Sequence, residues 1–144
     1  MHPKISELLS PYPVISHVPV QWADMDQNQH VNNVVYLKYI EVSRLDFFQK
    51  IDFFDFSGKK AGPILAETEC KYIYPMSYPD TAWMGSRIKE MSETDFILET
   101  LLVSEKHLRV SAKNESRIVV YDYAARKKVP MSQDLLESIN QLKS

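Results

Sequence analysis

The chain has a single cysteine, Cys70, among 144 residues, so it can build neither an intrachain disulfide framework nor a multi-thiolate metal site. Glycine is almost as scarce. The three, Gly58, Gly62 and Gly85, match none of the spacings of the glycine-rich phosphate loops of kinases and dinucleotide-binding proteins or of the G-x-S-x-G elbow of serine hydrolases. No run of about 18 apolar residues occurs, and the opening MHPKISELLSPYP has no signal-peptide core, so neither a membrane span nor an export leader is expected. Charge of one sign is missing too: 17 Lys and Arg lie scattered among 19 Asp and Glu, a net charge of −2. That balance offers no footprint for nucleic acid or an anionic membrane, and a reducing cytoplasm is the expected setting.

What is present is a globular composition, 44% hydrophobic and 25% charged, sized for one domain over residues 1–144. Ile5–Ser10 can make a helical turn or two before Pro11 and Pro13, and VISHVPVQW (14–22) alternates as a first strand. The segment 34–51 is apolar around most of a helical circumference, as a buried helix requires. Asn32 or Asn33 is its natural N-cap, and Gly58, Gly62 and Pro63 mark the loop beyond it. From Ile64 to Asp122 the texture is β-branched and aromatic, giving strands near 64–74, 80–91, 94–104 and 108–123 with turns at 78–80 and 92–95. Ser132 then caps a short amphipathic helix carrying Leu135, Leu136, Ile139 and Leu142. A strand, one long apolar helix and four consecutive strands form an α+β pattern, satisfied when a five-stranded antiparallel sheet curls around the helix in the hotdog arrangement. Such a unit leaves strand edges and part of the helix exposed, so a homodimer or homotetramer is expected.

The chemistry-bearing segment is Trp22–Asn33, where polar groups crowd the entry to an apolar helix. Asp24, Asp26 and Asn28 match the first ligands of a calcium loop, but Gln29 stands where the loop needs glycine and Val35 where it needs a bidentate Glu. Zinc fares no better, since His17, His30 and His107 share no ligand spacing, so no metal and no cofactor are expected. Two readings remain. In one, Asp24, Asp26 and Asn32 satisfy turn and helix-start N–H groups. In the other, the helix N-terminus offers unpaired N–H groups and partial positive charge, and a carboxylate just upstream faces whatever binds there: an oxyanion site with a base.

The pattern W-x-D-M-D-x-x-x-H-V-N-N-x-x-Y-x-x-Y-x-E-x-x-R, running from Trp22 to Arg44, resembles the acyl-CoA thioesterases of the 4-hydroxybenzoyl-CoA thioesterase type. The resemblance extends more weakly through Tyr72–Pro75, Pro79-Asp80 and Val129-Pro130. It implies the hotdog fold and hydrolysis of an acyl-CoA thioester, with Asp26 as the catalytic carboxylate and the main-chain N–H of Asn33 as the oxyanion donor. It further implies that Asp24 supports the site, that His30 orients water or thioester, and that Asn32 and Tyr36 border the substrate. Where relatives often have glycine, Gln27, Asn28 and Gln29 fill the loop here, and Pro79 stands before Asp80. Glu41 and Arg44, three residues apart, read as a local helix ion pair. Hydrolysis of an acyl-carrier-protein thioester, or acyl binding without turnover, uses the same groove. Cys70, on an alternating strand, reads as a small buried residue, and the strand cations Arg87, Lys89, Arg109, Lys113 and Arg117 read as solvated faces that can include contacts to coenzyme A phosphates.

Overall fold

The computed structural model describes residues 1–54 and 61–143. The chain runs through α1 (Pro3–Leu9), β1 (Val14–Pro19), a 3₁₀ turn (Trp22–Asp24), α2 (Asn33–Lys50), β2 (Gly62–Tyr72), β3 (Thr81–Met91), β4 (Asp95–Ser104), β5 (Arg109–Asp122), β6 (Lys127–Lys128) and α3 (Gln133–Lys143). The strand order is β1-β3-β4-β5-β2, antiparallel throughout, with the two-residue β6 added on β5. This is the expected curled sheet around a long helix, enlarged by β6. The loop marker Gly58 lies outside the described residues.

Period-two burial explains the curl. Phe96 and Leu98 of β4 and Ile118 and Val120 of β5 turn to the concave face and bury against Phe47 and Phe48 of α2 and its C-cap residue Ile51, with Leu135 and Ile139 of α3 closing that end. Nearer the start of α2, Tyr36, Tyr39 and Ile40 pack on Val20, Met84, Leu102 and Ala112. The opposite, convex face is not left bare. Ile5 and Leu9 of α1 cover Leu101 and Val103, which is why β4 ends in an unbroken buried run.

Three expectations shift. The first strand ends at Pro19 because Gln21 donates its N–H to Asp24 Oδ2 (2.8 Å) and the chain turns. β2 stops at Tyr72, where the N–H groups of Ile73 and Tyr74 both converge on the Ser111 carbonyl (2.8 and 3.2 Å). Glu41 and Arg44 form no ion pair: Glu41 is exposed, whereas Arg44 is 8% exposed and turns inward to donate to Ser116 Oγ (3.3 Å). All ion pairs among the described residues belong to the sheet, Arg87–Glu99, Lys89–Glu115 and Arg117–Asp95.

The α1–β1 connection is pinned by Tyr12. Its hydroxyl donates to Glu99 Oε1 (3.0 Å) and its ring lies under the Arg87 guanidinium (4.6 Å). That ring covers Gly85, where an added Cβ would come within 2.6 Å of Tyr12 Cβ and 2.7 Å of Cγ. A methyl group there has no room. Gly85→Ala is therefore expected to cost about 1–3 kcal/mol by overpacking, read as a lower urea midpoint. A midpoint equal to that of the parent protein would refute this account of the contact.

Candidate active site

The polar segment folds into a hairpin-like loop that delivers the chain to α2. Met25 and Val31 form an isolated bridge, the Asp26 N–H donates to the His30 carbonyl (2.8 Å), and the Asn32 N–H donates to the Asp24 carbonyl (3.0 Å). Between them the turn closes on Asp26 itself. Its carbonyl accepts from Gln29 N–H (3.0 Å), and its Oδ1 accepts from Asn28 N–H (2.8 Å), the geometry of an Asx turn. Gln29 takes the left-handed conformation, φ 61°, at a place where glycine would be unstrained. From the side, Val31 N–H reaches the Met76 carbonyl (2.8 Å) and Ser77 Oγ donates to the Gln29 carbonyl (2.9 Å).

Asp24 is turned into the fold. Its Oδ2 accepts from the Tyr39 hydroxyl (2.6 Å) as well as from Gln21 N–H, so the carboxylate ties the loop to the second turn of the helix. Burial, and then the hydrogen bond to Asp24, raise the Tyr39 hydroxyl above the ordinary tyrosine range, keeping it a donor. Asn32 is the N-cap. Its Oδ1 accepts from Val34 N–H (2.9 Å), and its carbonyl accepts from Val35 (2.9 Å) and Tyr36 (3.3 Å). The cap thus consumes the donors at the second, third and fourth positions of α2, and the first, the N–H of Asn33, has no acceptor among the described residues.

Asp26 and Asn33 share one cleft of about 270 Å³, walled by the Tyr36 ring and by Tyr72, Ile73, Tyr74 and Pro75. Asp26 is half-buried, and its Oδ2 has no partner among the described residues. The Tyr36 hydroxyl is spoken for: it accepts from Met76 N–H (3.0 Å) and donates to the Tyr74 carbonyl (3.4 Å), leaving the ring to face the cleft. Tyr72 stacks edge-on against it (5.4 Å between centroids) and donates to the Asn33 carbonyl (3.2 Å). His30 is exposed at the loop's outer side. Cys70 is half-buried rather than buried, next to Tyr72, and burial raises its thiol pKa. The wall residues 73–75 escape pattern reading because they leave the strand register beyond Tyr72; the aromatic run Tyr72-Ile-Tyr-Pro75 is their one signal. Chemically, the cleft pairs a carboxylate oxygen with an unshared helix N–H, the two groups needed to activate a nucleophile and hold a carbonyl oxygen as it gains charge.

A family model described as the thioesterase-like superfamily matches residues 20–139. The chain belongs to that superfamily. Its arrangement of curled sheet and central helix is the hotdog fold of these enzymes, and the protein is a thioesterase. It is 23% identical over 128 residues to the long-chain acyl-CoA thioesterase FadM of Escherichia coli, covering 88% of this chain and 97% of that one. Among solved structures it resembles a Thermus thermophilus thioesterase complexed with coenzyme A and Zn (26% identity, TM-score 0.79, 92% of this chain and 95% of that one). It also resembles a thioesterase superfamily protein from Jannaschia (18% identity, TM-score 0.85, 99% of this chain and 92% of that one).

The strain at Gln29 gives this thioesterase a measurable signature. A β-branched residue tolerates left-handed backbone poorly, so Gln29→Val is expected to lose about 1–2 kcal/mol of stability. Gln29→Gly should stay within about 0.5 kcal/mol of the parent, relief of strain being offset by the greater freedom of the unfolded chain. Urea denaturation of the two variants ranks them, and the reverse order would show that the loop has another conformation in solution.

Proposed function

We propose that the enzyme hydrolyses an acyl-CoA thioester to a free acid and coenzyme A, with Asp26 as catalytic carboxylate and the Asn33 N–H as oxyanion donor. The observation that supports this is the conjunction, in one cleft, of a carboxylate oxygen without a partner and a helix N–H without an acceptor. The thioester carbonyl oxygen would sit on the N–H, where the α2 dipole adds positive potential. Asp26 then either takes a proton from an attacking water or attacks the carbonyl carbon itself. In the second case a mixed anhydride forms and water opens it; in both, the C–S bond breaks and the thiolate leaves. Asp24 and Asn32 act as positioning residues through Tyr39 and the helix cap, the Tyr36 ring forms the wall, and His30, exposed in the same loop, would orient water or the thioester at the mouth. The proposed setting is the cytoplasm, where Cys70 stays a thiol.

The working unit in this reading is at least a homodimer. A cleft of about 270 Å³ is smaller than the space a drug-sized ligand usually occupies. Beside it lies uncovered apolar surface: Val34 and Leu45 on α2 are 56% and 40% exposed, and Leu65, Tyr72 and Ile73 on or beside the edge strand β2 are 45–47% exposed. A second copy seated on that edge would bury this surface, cover the free strand and deepen the cleft. Light scattering should therefore give a mass of at least twice 16.8 kDa at micromolar concentration; a monomer would overturn the assembly.

The catalytic assignment separates from folding at one position. Asp26→Asn keeps an Oδ1 for Asn28 N–H but removes the charge, so kcat on the best substrate of an acyl-CoA panel, followed with a thiol reagent, should fall at least about 100-fold. Stability should change by less than about 1 kcal/mol. Turnover within threefold of the parent would sink the mechanism and leave the fold untouched.

A further inference from the structure

Coenzyme A carries several phosphate charges, and the acidic balance of this chain provides no general attraction for them. Local cations must do it. Of the five strand cations, three are neutralised on the sheet: Arg87 by Glu99 (3.0 Å), Lys89 by Glu115 (2.5 Å) and Arg117 by Asp95 (3.3 Å). Lys113 is in register with Leu101, whose side chain packs under α1, so it belongs to the convex face, away from the cleft. Arg109 differs from all four. Its guanidinium lies 4.1 Å over the ring of Tyr74, and Tyr74 is a wall of the cleft that holds Asp26 and Asn33.

The turn that presents Arg109 is firmly built. Asp80 Oδ1 accepts from Lys106 N–H (2.9 Å) and Thr81 N–H (2.7 Å), and its Oδ2 accepts from Ser104 Oγ (2.5 Å). Ser104 Oγ in turn accepts from His107 N–H (3.2 Å), and the Ser104 carbonyl accepts from Leu108 N–H (2.8 Å). His107 meets the Tyr74 ring edge-on at 4.8 Å. Lys106, His107 and Arg109 are exposed, and none forms an ion pair among the described residues. Asp80 spends its carboxylate on the backbone and hydroxyl of the turn, and so shapes the cation cluster without being paired to any of its side chains.

Resting on the acyl-CoA reading above, we propose that the β4–β5 turn is the phosphate-binding subsite of the enzyme, with Arg109 as principal ligand and Lys106 beside it. Stacking on Tyr74 holds the guanidinium plane and leaves its N–H edges free, the presentation that binds phosphate oxygens bidentately. The ring links this subsite to the wall of the cleft, so the nucleotide end of the substrate would anchor one tyrosine away from the reacting thioester. Binding there serves recognition of the carrier and takes no part in the bond-breaking step.

The test compares one acyl group on two carriers, coenzyme A and N-acetylcysteamine, the latter lacking every phosphate. Arg109→Gln should raise KM for the acyl-CoA about tenfold with kcat within twofold, and leave kcat/KM for the N-acetylcysteamine thioester unchanged. Lys113→Gln should change neither. Equal losses on both carriers, or no loss on acyl-CoA, would overturn the subsite. Calorimetric titration of free coenzyme A keeps the two readings apart. If the parent binds coenzyme A and Arg109→Gln binds it at least fivefold more weakly, while no acyl-CoA is hydrolysed, the hydrolase reading fails and the subsite stands. Absence of coenzyme A binding to the parent, or equal binding to parent and variant, overturns the subsite.

Discussion

Burying α2 is the constraint from which the rest of the structure follows. A helix carrying Tyr36, Tyr39, Ile40, Phe47, Phe48 and Ile51 on one broad face has no stable place at the surface of so small a chain, and a flat sheet would cover only a stripe of it. β1, β3 and β4 run closest to it, and β5 reaches it through Ser116, Ile118 and Val120. Residues that seal the wrapping from outside, Ile5 and Leu9, therefore matter to a helix on the other face of the sheet. The sheet does not cover all of α2: Val34, Val42 and Leu45 stay exposed.

The same burial fixes where α2 begins, and so where its free donor points. A capping side chain satisfies one N–H and the cap carbonyl two more, so a helix held at a set depth by its packing leaves its first N–H facing whatever the preceding loop encloses. Here the loop is tied to the helix by Asp24 through Tyr39 and to the β2–β3 connection through Met76 and Ser77. Two neighbouring aspartates thereby come to different ends. Asp24 gives its Oδ2 to two donors and works as a strut; Asp26, two residues on and across the turn, keeps its Oδ2 without a partner among the described residues, in the cleft it shares with Asn33. Residues two apart in a strand share a face, so it is the turn closing on Asp26 that separates structure from chemistry here.

The polar cluster at the β4–β5 turn follows a related logic. Asp80 uses both carboxylate oxygens to close the turn, which leaves the cations it carries available to solvent, whereas the cations in mid-sheet meet carboxylates across the strands and are spent there. Pairing is thus a matter of position for Arg87, Lys89 and Arg117, while Lys113, unpaired among the described residues, is set apart by the face it occupies.

By itself, the sequence determined the fold class, the order of its elements, a helix cap at Asn32 or Asn33 and the importance of the segment from Trp22 to Asn33, because these rest on local periodicity, turn chemistry and a motif confined to adjacent residues. It placed helix and strand boundaries within a few residues and left out β6, whose two lysines carry no hydrophobic period. It read Glu41 and Arg44 as partners from their spacing alone, but α2 is packed so that Arg44 faces Ser116 of β5 instead. Which aspartate is tied to Tyr39 of the helix, that Tyr72 to Pro75 form a wall of the Asp26 cleft and that Arg109 stands behind it were decided by tertiary structure. Each depends on a contact between residues far apart in the chain, and burial and register, which settle such contacts, are properties of the assembled sheet and helix rather than of any one segment.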